Sequence, residues 1–595
     1  MQAAPGSRSV GLADSEALLG VGDAAPPKRE RHGNLLSRTL LVSGLTFASR
    51  ILGFVREMFS AALFGATSPI FDAFLTAWRV PNLFRRFLGE GALSASLVSR
   101  LTEVDEDEGE DAGAALFLGT LRLASGILAV LCAVVMVTAY FLPSLLSPES
   151  LTTLFGKDPA PVLELTIRVA PFVILICLSA LISGALNVRG HYLMPNLGPV
   201  ILNVAWILAL VVIGTKYGWT APAGEAGGLA SGMTETARQS LSDAEYARHL
   251  SMTRVLAWGV LISGLFQLAC QLPPLRRLGF LGAKPVTRAP DGPTPWSVLR
   301  TAAPLAFGAA VYQINVMVDG LMAEWLPDGG PTSHYYANRI QQFPLALIAI
   351  AAMNSVFPRL KELGHRGDRA GLRQVLDKTQ YGVAFLALPA SCGLFLLAGP
   401  MASFIFQHGA FDAAGAERVG NALSALSLAL LPAGAVLLLT RAYYALDDYR
   451  TPVIASSLML ATNIALNCLF LFVFGMDVEG LALATAISSW GNLLILIPSL
   501  RRQLAGDEPF GWNHWIGRLG PMALCSVVAA ALAYGANAGA TALVEGHLPA
   551  TATRGFGLMA ASLLGVGGYF ALATALGIPE ISAVQARLRR NRKPG

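Results

Sequence analysis

Apolar runs of about 18–25 residues recur along almost the whole chain and are separated by short polar turns. A helix of that length crosses the hydrocarbon core of a membrane. About 14 runs fit this pattern, and they predict helices that begin near Arg38, Phe71, Ala114, Val162, Asn196, Met252, Trp296, His334, Thr379, Glu417, Pro452, Gly480, Ile516 and Gly555. The pattern therefore predicts an all-α polytopic membrane protein with about 14 transmembrane helices.

The positions of the basic residues predict the orientation of these helices. Basic residues flank the predicted helices at both ends, at Lys28, Arg29 and Arg31 and at Arg587, Arg589, Arg590, Arg592 and Lys593. The loops 64–70, 324–333, 399–415, 475–479 and 541–553 contain no Lys or Arg. Because cytoplasmic loops carry the excess of Lys and Arg, both termini are predicted to be cytoplasmic.

A weak internal repeat predicts how the helices are grouped. Residues 184–195 resemble residues 441–452, and aligning Pro195 with Pro452 gives nearly the same offset as aligning Arg100 with Arg359. A six-helix repeat preserves orientation, so two parallel six-helix lobes are predicted. The predicted units are a disordered cytoplasmic tail (1–33), an N-terminal lobe (34–275), a C-terminal lobe (276–505), two additional transmembrane helices (506–580) and a basic cytoplasmic tail (581–595).

Composition adds exclusions to this topology. The chain has 595 residues, 54% hydrophobic and 14% charged. Its cysteines lie singly in apolar segments, and its histidines show no metal-ligand spacing. A Gly-rich phosphate loop and a nucleophile elbow are both absent from the sequence. We therefore expect neither an enzyme nor a resident cofactor. The net charge of +5 suits an anionic membrane surface and does not indicate nucleic acid.

Charged residues interrupt the first two predicted helices. The first contains Arg50 and Arg56, and the second places Asp72, Arg79, Arg86 and Glu90 on one helical face, with Asn82 beside it. One Arg or Asp near the bilayer centre costs roughly 2.5–3.5 kcal/mol, so this face should line a wet interior. Pro81 predicts a kink or break within the same helix.

Arginine predominates among these charges, and its planar guanidinium binds diphosphates through paired hydrogen bonds. We predict that Arg50, Arg56, Arg85, Arg86 and Arg339 form a cationic site for an anionic ligand. The alternative is that Asp72 and Glu90 neutralise some of these arginines in structural ion pairs.

A second candidate site lies in the second half of the chain. Asp319 is a lone carboxylate in an apolar helix, Asn463 and Asn467 are one turn apart, and Thr485 is on the next helix. Oxygen ligands of this kind suit sodium, or Asp319 alone could bind a proton. The alternative is ordinary hydrogen bonding between the helices.

Two further segments carry weaker predictions. Residues 359–378 alternate leucines with basic residues and could include an amphipathic helix at the membrane surface. Asp447 and Asp448 could suggest a metal-diphosphate site, although a helix-end turn is the simpler interpretation.

Several stretches resemble the MurJ/MviN family of lipid II flippases. The resemblance rests on residues 49–57, 72–74, 81–86 and 89–92, and continues in 335–339, 406–411 and 443–452. It extends over about residues 35–505. The family often has Asp where this chain has Glu57, which preserves the charge.

The resemblance implies a fold of the multidrug/oligosaccharidyl-lipid/polysaccharide exporter superfamily in the bacterial cytoplasmic (inner) membrane. It implies a role in peptidoglycan synthesis, with lipid II, an undecaprenyl-diphosphate-linked disaccharide-pentapeptide, flipped by alternating access. It also implies that the residues matching Arg50, Arg56, Asp72, Asn82, Arg85, Arg86, Glu90 and Arg339 bind the head group. Asp319, Asn463, Asn467 and Thr485 are similar to a sodium site of some members. Membrane lipids and cell-wall synthesis proteins are the expected partners.

Four alternatives remain open from the sequence. Another polyprenyl-diphosphate-linked glycan could be the cargo, or the chain could be a cation-coupled drug exporter on the same fold. It could also be a membrane scaffold that transports nothing. A polyprenyl-diphosphate enzyme would need an acidic metal motif, for which only Asp447 and Asp448 are candidates.

Overall fold

The computed structural model describes residues 32–85, 92–219, 235–282, 292–505 and 512–581, and these ranges contain helices and no β-strand. The helices are α1 (His32–Phe64), α2 (Pro69–Phe84), α3 (Ala92–Asp107), α4 (Glu110–Leu145), α5 (Pro148–Phe155), α6 (Ala160–Val169), α7 (Phe172–Val188), α8 (Leu193–Tyr217), α9 (Glu235–Arg277), α10 (Pro295–Met322), α11 (Gly330–Leu345), α12 (Ala351–His365), α13 (Arg369–Phe406), α14 (Ala413–Ser427), α15 (Leu430–Ala445), α16 (Arg450–Cys468), α17 (Val478–Ala505), α18 (Trp512–Val544) and α19 (Ala550–Ala575). A 3₁₀ turn (Ala323–Trp325) follows α10, and π-helical turns follow α11 and α16.

Within the described ranges, ten helical segments are long and apolar enough to cross a membrane, or eleven if the bent pair α14–α15 counts as one span. The prediction of an all-α polytopic membrane protein is therefore confirmed, whereas the number 14 is not. Helices α1, α2 and α10 are not among the ten. Helix α2, with 16 residues, is shorter than a membrane crossing requires.

The N-terminal half (residues 32–282) and the C-terminal half (residues 292–505) contact each other through several helices. In the N-terminal half α8 packs between α1 and α9, and in the C-terminal half α14 packs between α13 and α17. Helix α10 contacts α3 and α4 as well as α16, and the Ser96 hydroxyl donates to the carbonyl of Val298 over 2.8 Å. Helices α18 and α19 pack on each other and on α13. The boundaries of the two lobes stay a prediction.

Three local predictions differ from the structure. The predicted break at Pro81 is wrong, because α2 continues through the proline to Phe84, whereas a kink there stays a prediction. Helix α9 already begins at Glu235, because the polar segment before Met252 is helical from that point. Residues 359–378 form no separate amphipathic helix, since they are the end of α12, a short turn and the start of α13.

The two halves meet along their main chains at one end of the molecule. The amide of Ala410 donates to the carbonyl of Ala62 over 2.8 Å. Gly409 has φ +58°, and a Cβ there would lie 2.5 Å from the carbonyl oxygen of Ala62. Gly329 has φ +85° and passes so close to Ala66 that a Cβ would overlap its carbonyl oxygen. Only glycine permits both this backbone conformation and this approach.

Candidate functional site

Glu57 lies where α1 of the N-terminal half faces α11 of the C-terminal half. Its Oε1 atom accepts a hydrogen bond from the Tyr335 hydroxyl over 2.8 Å and forms an ion pair with Arg56. The same oxygen is 3.5 Å from Nε of Arg339. Because Arg339 and Tyr335 are both on α11, one buried carboxylate connects the two halves.

Arg56 is buried and bonded on several sides. Its Nη1 donates to Asn203 Oδ1 over 3.1 Å, its Nη2 donates to the Tyr335 hydroxyl over 3.2 Å, and its guanidinium carbon lies 4.4 Å from the centre of the Trp206 ring. Asn203 also donates to the carbonyl of Ser49, which lies two helical turns before Arg56 on α1. These contacts fix Arg56 between α1, α8 and α11.

Arg339 and Arg50 are more accessible than Arg56. The Arg339 side chain is 35% exposed, and Arg50 is exposed on α1. Gly53 leaves room for Arg339, since a Cβ there would be 3.2 Å from its Nη2. Arg50 and Glu57 are two turns apart and share one face of α1. The structure therefore brings Arg56 and Arg339 together at Glu57, and Arg50 lies two turns away on the same face of α1.

The remaining residues of the predicted cationic site lie on α2 or beyond it. Arg85 is half-buried at the end of α2, and its Nη2 donates to Asn82 Oδ1 over 3.1 Å. Arg86 and Glu90 lie outside the described residues.

Asp72 does not pair with Arg50, Arg56, Arg85 or Arg339 in the described part of the chain. Its fully buried carboxylate accepts hydrogen bonds from the amide of Gly329 (2.7 Å), the amide of Thr332 (3.0 Å) and the hydroxyl of Thr332 (2.6 Å). Lys157 lies 3.4 Å away. Asp72 of the N-terminal half thus caps the first turn of α11 in the C-terminal half, where amides lack partners within the helix.

Two further contacts join α2 to the C-terminal half. Arg79 donates through Nη1 to the carbonyl of Gly320 and, over 3.2 Å, to the hydroxyl of Thr76. Thr76 in turn donates to the buried carboxylate of Glu324. Polar side chains therefore connect α2 to α10 and the 3₁₀ turn that follows it.

The residues of the second candidate site come together. Asp319 accepts from Asn467 Nδ2 at Oδ1 and from the Thr485 hydroxyl at Oδ2, each over 2.8 Å. Asn467 also donates to Asn463 Oδ1 over 3.1 Å. The Oδ1 atom of Asn467 is buried and has no hydrogen bond to any described residue. An unpaired buried oxygen beside a carboxylate fits a small cation held by hard ligands.

The Asp447–Asp448 pair is a helix-end turn. Asp448 accepts from the amides of Arg450 and Thr451 over 3.1 and 3.0 Å, and from the side chains of Thr451 and Gln503. Burial raises the pKa of Asp448, but the hydrogen bonds from Thr451 and Gln503 outweigh it, so the pKa lies below its ordinary value. Among the described residues, no group of three or more His, Cys, Asp or Glu could hold a metal ion.

The sequence did not single out several residues that bridge the helices. Glu57 and Tyr335 lie in stretches that resemble the family, but the sequence alone indicates no site role for them, nor for Asn203, Lys157 or Glu324. For Glu57 and Glu324 a signal was available, because each is an acidic residue in an apolar surrounding that requires a partner. Nothing local in the sequence distinguishes Asn203 from other helix asparagines.

Comparison with known proteins gives consistent results. The family model described as "Lipid II flippase MurJ" matches residues 60–551. The protein named lipid II flippase MurJ from Burkholderia cenocepacia is 30% identical over 82% of this chain and 87% of its own length. A solved structure of lipid II flippase MurJ in an inward closed conformation has a TM-score of 0.67 at 22% identity, covering 90% of this chain and 98% of that one. An inward-facing MATE multidrug transporter of the MOP superfamily has a TM-score of 0.57 at 12% identity, covering 77% and 94%. The two structural likenesses concern the fold alone.

Proposed function

The chain belongs to the lipid II flippase MurJ family, a family of transporters and not of enzymes, and from this premise we propose that it moves lipid II from the inner to the outer leaflet of the bacterial cytoplasmic membrane. The resemblance found in the sequence is thereby confirmed. The two termini, predicted to be cytoplasmic, lie outside the described residues. Cell-wall synthesis proteins as partners stay a prediction.

The observation that carries the proposal is that the guanidinium of Arg339, beside Glu57, is partly exposed to solvent. Arg50, Arg56 and Arg339 supply three positive charges, and Glu57 supplies one negative charge, so two positive charges are unbalanced. A diphosphate supplies a matching negative charge, and Arg339 is only 3.5 Å from Glu57 through one nitrogen. Its other nitrogens can turn to a ligand and form the paired hydrogen bonds that phosphate oxygens accept. Arg56 positions Glu57 in this arrangement.

Alternating access is the mechanism that we propose for this movement. The loops containing Ala62–Ser68, Gly329 and Gly409 lie on the side predicted to be outside, because these loops carry no Lys or Arg. The Asp72 cap and the hydrogen bond between Ala410 and Ala62 hold the halves together on that side. Opening outward requires these contacts to break, which agrees with halves that move as bodies around a central site.

We further propose that Asp319, Asn463, Asn467 and Thr485 hold a small monovalent cation, for which sodium is the best match. The oxygen atoms of Asp319 and Asn467 are hard ligands, and the buried Oδ1 of Asn467 lacks a partner among the described residues. When bound, the cation would supply the positive charge that the buried Asp319 carboxylate otherwise lacks within this cluster. Asn463 holds the Asn467 amide in place, and Thr485 orients Asp319 from α17.

Ligand binding to the purified full-length protein tests the head-group site. We expect lipid II and undecaprenyl diphosphate to raise the unfolding temperature, and undecaprenyl monophosphate to do so less, because one phosphate cannot engage both Arg339 and Arg50. Arg339→Ala should weaken binding of both diphosphates by at least about tenfold, the cost of one charge-assisted contact.

Arg254→Gln is the matched control, since Arg254 is a half-exposed arginine paired with Glu164 on the outside of the N-terminal half. It should bind like the wild type. Equal binding of the diphosphates to the wild type and to Arg339→Ala would contradict the site. Stabilisation by undecaprenyl diphosphate without any by lipid II would indicate a different polyprenyl-diphosphate-linked cargo.

A further inference from the structure

We propose that Arg79 couples the cation site at Asp319 to the contact between the two halves. The inference rests on the cation site proposed above and adds a residue outside it. Arg79 is on α2 of the N-terminal half, whereas Asp319 is on α10 of the C-terminal half. Arg79 would act as a positioning residue, because it touches the helix that carries Asp319 and is not itself a ligand.

The contact between the two helices is direct. Nη1 of Arg79 donates to the carbonyl of Gly320, the residue that follows Asp319. Gly320 provides the space for this contact, since a Cβ there would lie 2.5 Å from both Cζ and Nε of Arg79. The absence of a side chain at position 320 therefore allows a guanidinium of one half to rest on the backbone next to the cation site of the other.

Asp319 and Arg79 are also electrostatic neighbours. Asp319 is buried, and the side chains that donate to its carboxylate, among them Asn467 and Thr485, are uncharged. Arg79 contacts the residue after Asp319, and through Thr76 it is connected to a second buried carboxylate, that of Glu324. In the low-dielectric interior, the positive charge of Arg79 stabilises the ionised carboxylate of Asp319 even without a direct hydrogen bond between the two side chains.

A cation at Asp319 therefore opposes Arg79. Two positive charges near one carboxylate repel each other, so an occupied site weakens the hold of Arg79 on Gly320. Helix α2 also carries Asp72, which is seven residues before Arg79 on the same helical face and caps α11. Loosening α2 from α10 thus loosens the element that closes the halves at the Asp72 end. By linkage, cation binding weakens the contact between Arg79 and Gly320 by a certain free energy. Breaking that contact must strengthen cation binding by the same free energy.

The experiment measures the sodium concentration that gives half of the maximal thermal stabilisation of the purified full-length protein. Choline chloride keeps the ionic strength constant. Arg79→Gln, which removes the charge, should lower this concentration by about tenfold. Gly320→Ala, which keeps the charge but displaces the guanidinium of Arg79, should also lower this sodium concentration. Arg79→Lys should stay within about threefold of the wild type, because the charge is preserved.

Two further variants separate this inference from the cation site itself. Asp319→Asn should abolish the sodium response, and Arg254→Gln should leave it unchanged. If the wild type responds and Asp319→Asn does not, but Arg79→Gln and Gly320→Ala both match the wild type, the coupling is overturned and the cation site stands. If Arg79→Gln does not fold, Gly320→Ala decides alone. A wild type without a sodium response, or an equal response in Asp319→Asn, overturns both the cation site and the coupling.

Discussion

Asp72→Ala is expected to weaken the contact between the two halves by about 3–5 kcal/mol, the usual cost of removing one partner from a buried charged network. The substitution leaves the amides of Gly329 and Thr332 without their acceptor and leaves Lys157 without one of its two carboxylate neighbours. Because Gly329 and Thr332 belong to the opposite half from Asp72, the expected result is a shift towards a state that is open at the Asp72 end. The unfolding temperature should also be lower. Labelling of a cysteine introduced at Ala66, beside Gly329, measures the opening.

Asp368→Ala is the matched control for this prediction. Asp368 caps α13 by accepting from the amide of Gly371 over 2.8 Å, and both residues belong to the C-terminal half. Its loss should cost about 1 kcal/mol of helix stability without changing the labelling at position 66. Equal labelling in Asp72→Ala and Asp368→Ala would show that the Asp72 cap does not hold the halves together.

The second large effect concerns Arg56 and Glu57. Arg56→Met is expected to lower the free energy of unfolding by about 3–5 kcal/mol, because it leaves the buried Glu57 with the half-buried Arg339 as its remaining charge partner and Asn203 Oδ1 without its donor. Glu57→Gln alone should also destabilise, since two arginines lose their carboxylate. The double variant should lose less than the two single losses together, with a coupling of about 1–3 kcal/mol.

Denaturant unfolding of the four proteins in detergent measures this cycle. A destabilised Arg56→Met with strong coupling identifies Arg56 as a residue that positions Glu57. Additive effects, or an Arg56→Met variant as stable as the wild type that fails only in ligand binding, would instead make Arg56 a direct contact of the head group.

The fold was largely predictable because membrane insertion leaves few choices. Apolar runs with no water to satisfy their backbones must be helical, and this argument needs only composition and length. The number of spans was harder to predict, since α2 has only 16 residues and α14 and α15 form a bent pair. Proline at position 81 removes one backbone donor, and α2 nevertheless continues three residues beyond it.

The sequence predicted which types of residue form the site, but it predicted less well which of these residues contact each other. Hydropathy identifies a charge that needs a polar environment, which is how Arg56, Arg339 and Asp319 were found. It does not identify the partner, because partners come from helices far apart in the chain. From the sequence, Asp72 was an alternative ion-pair partner of the arginines and not the cap of α11, and Glu57 had no role, although it joins Arg56 to Arg339.

Exposure of lipid II on the outer leaflet tests the central claim most directly. A bacterial host would be depleted of its own flippase and supplied with this protein, with Arg339→Ala or with Arg254→Gln, all at matched membrane levels. We expect the wild type and Arg254→Gln to restore exposure, and Arg339→Ala to leave lipid II on the inner leaflet. Normal exposure with Arg339→Ala would contradict the proposed head-group site, and failure of correctly inserted wild type would contradict lipid II as the cargo.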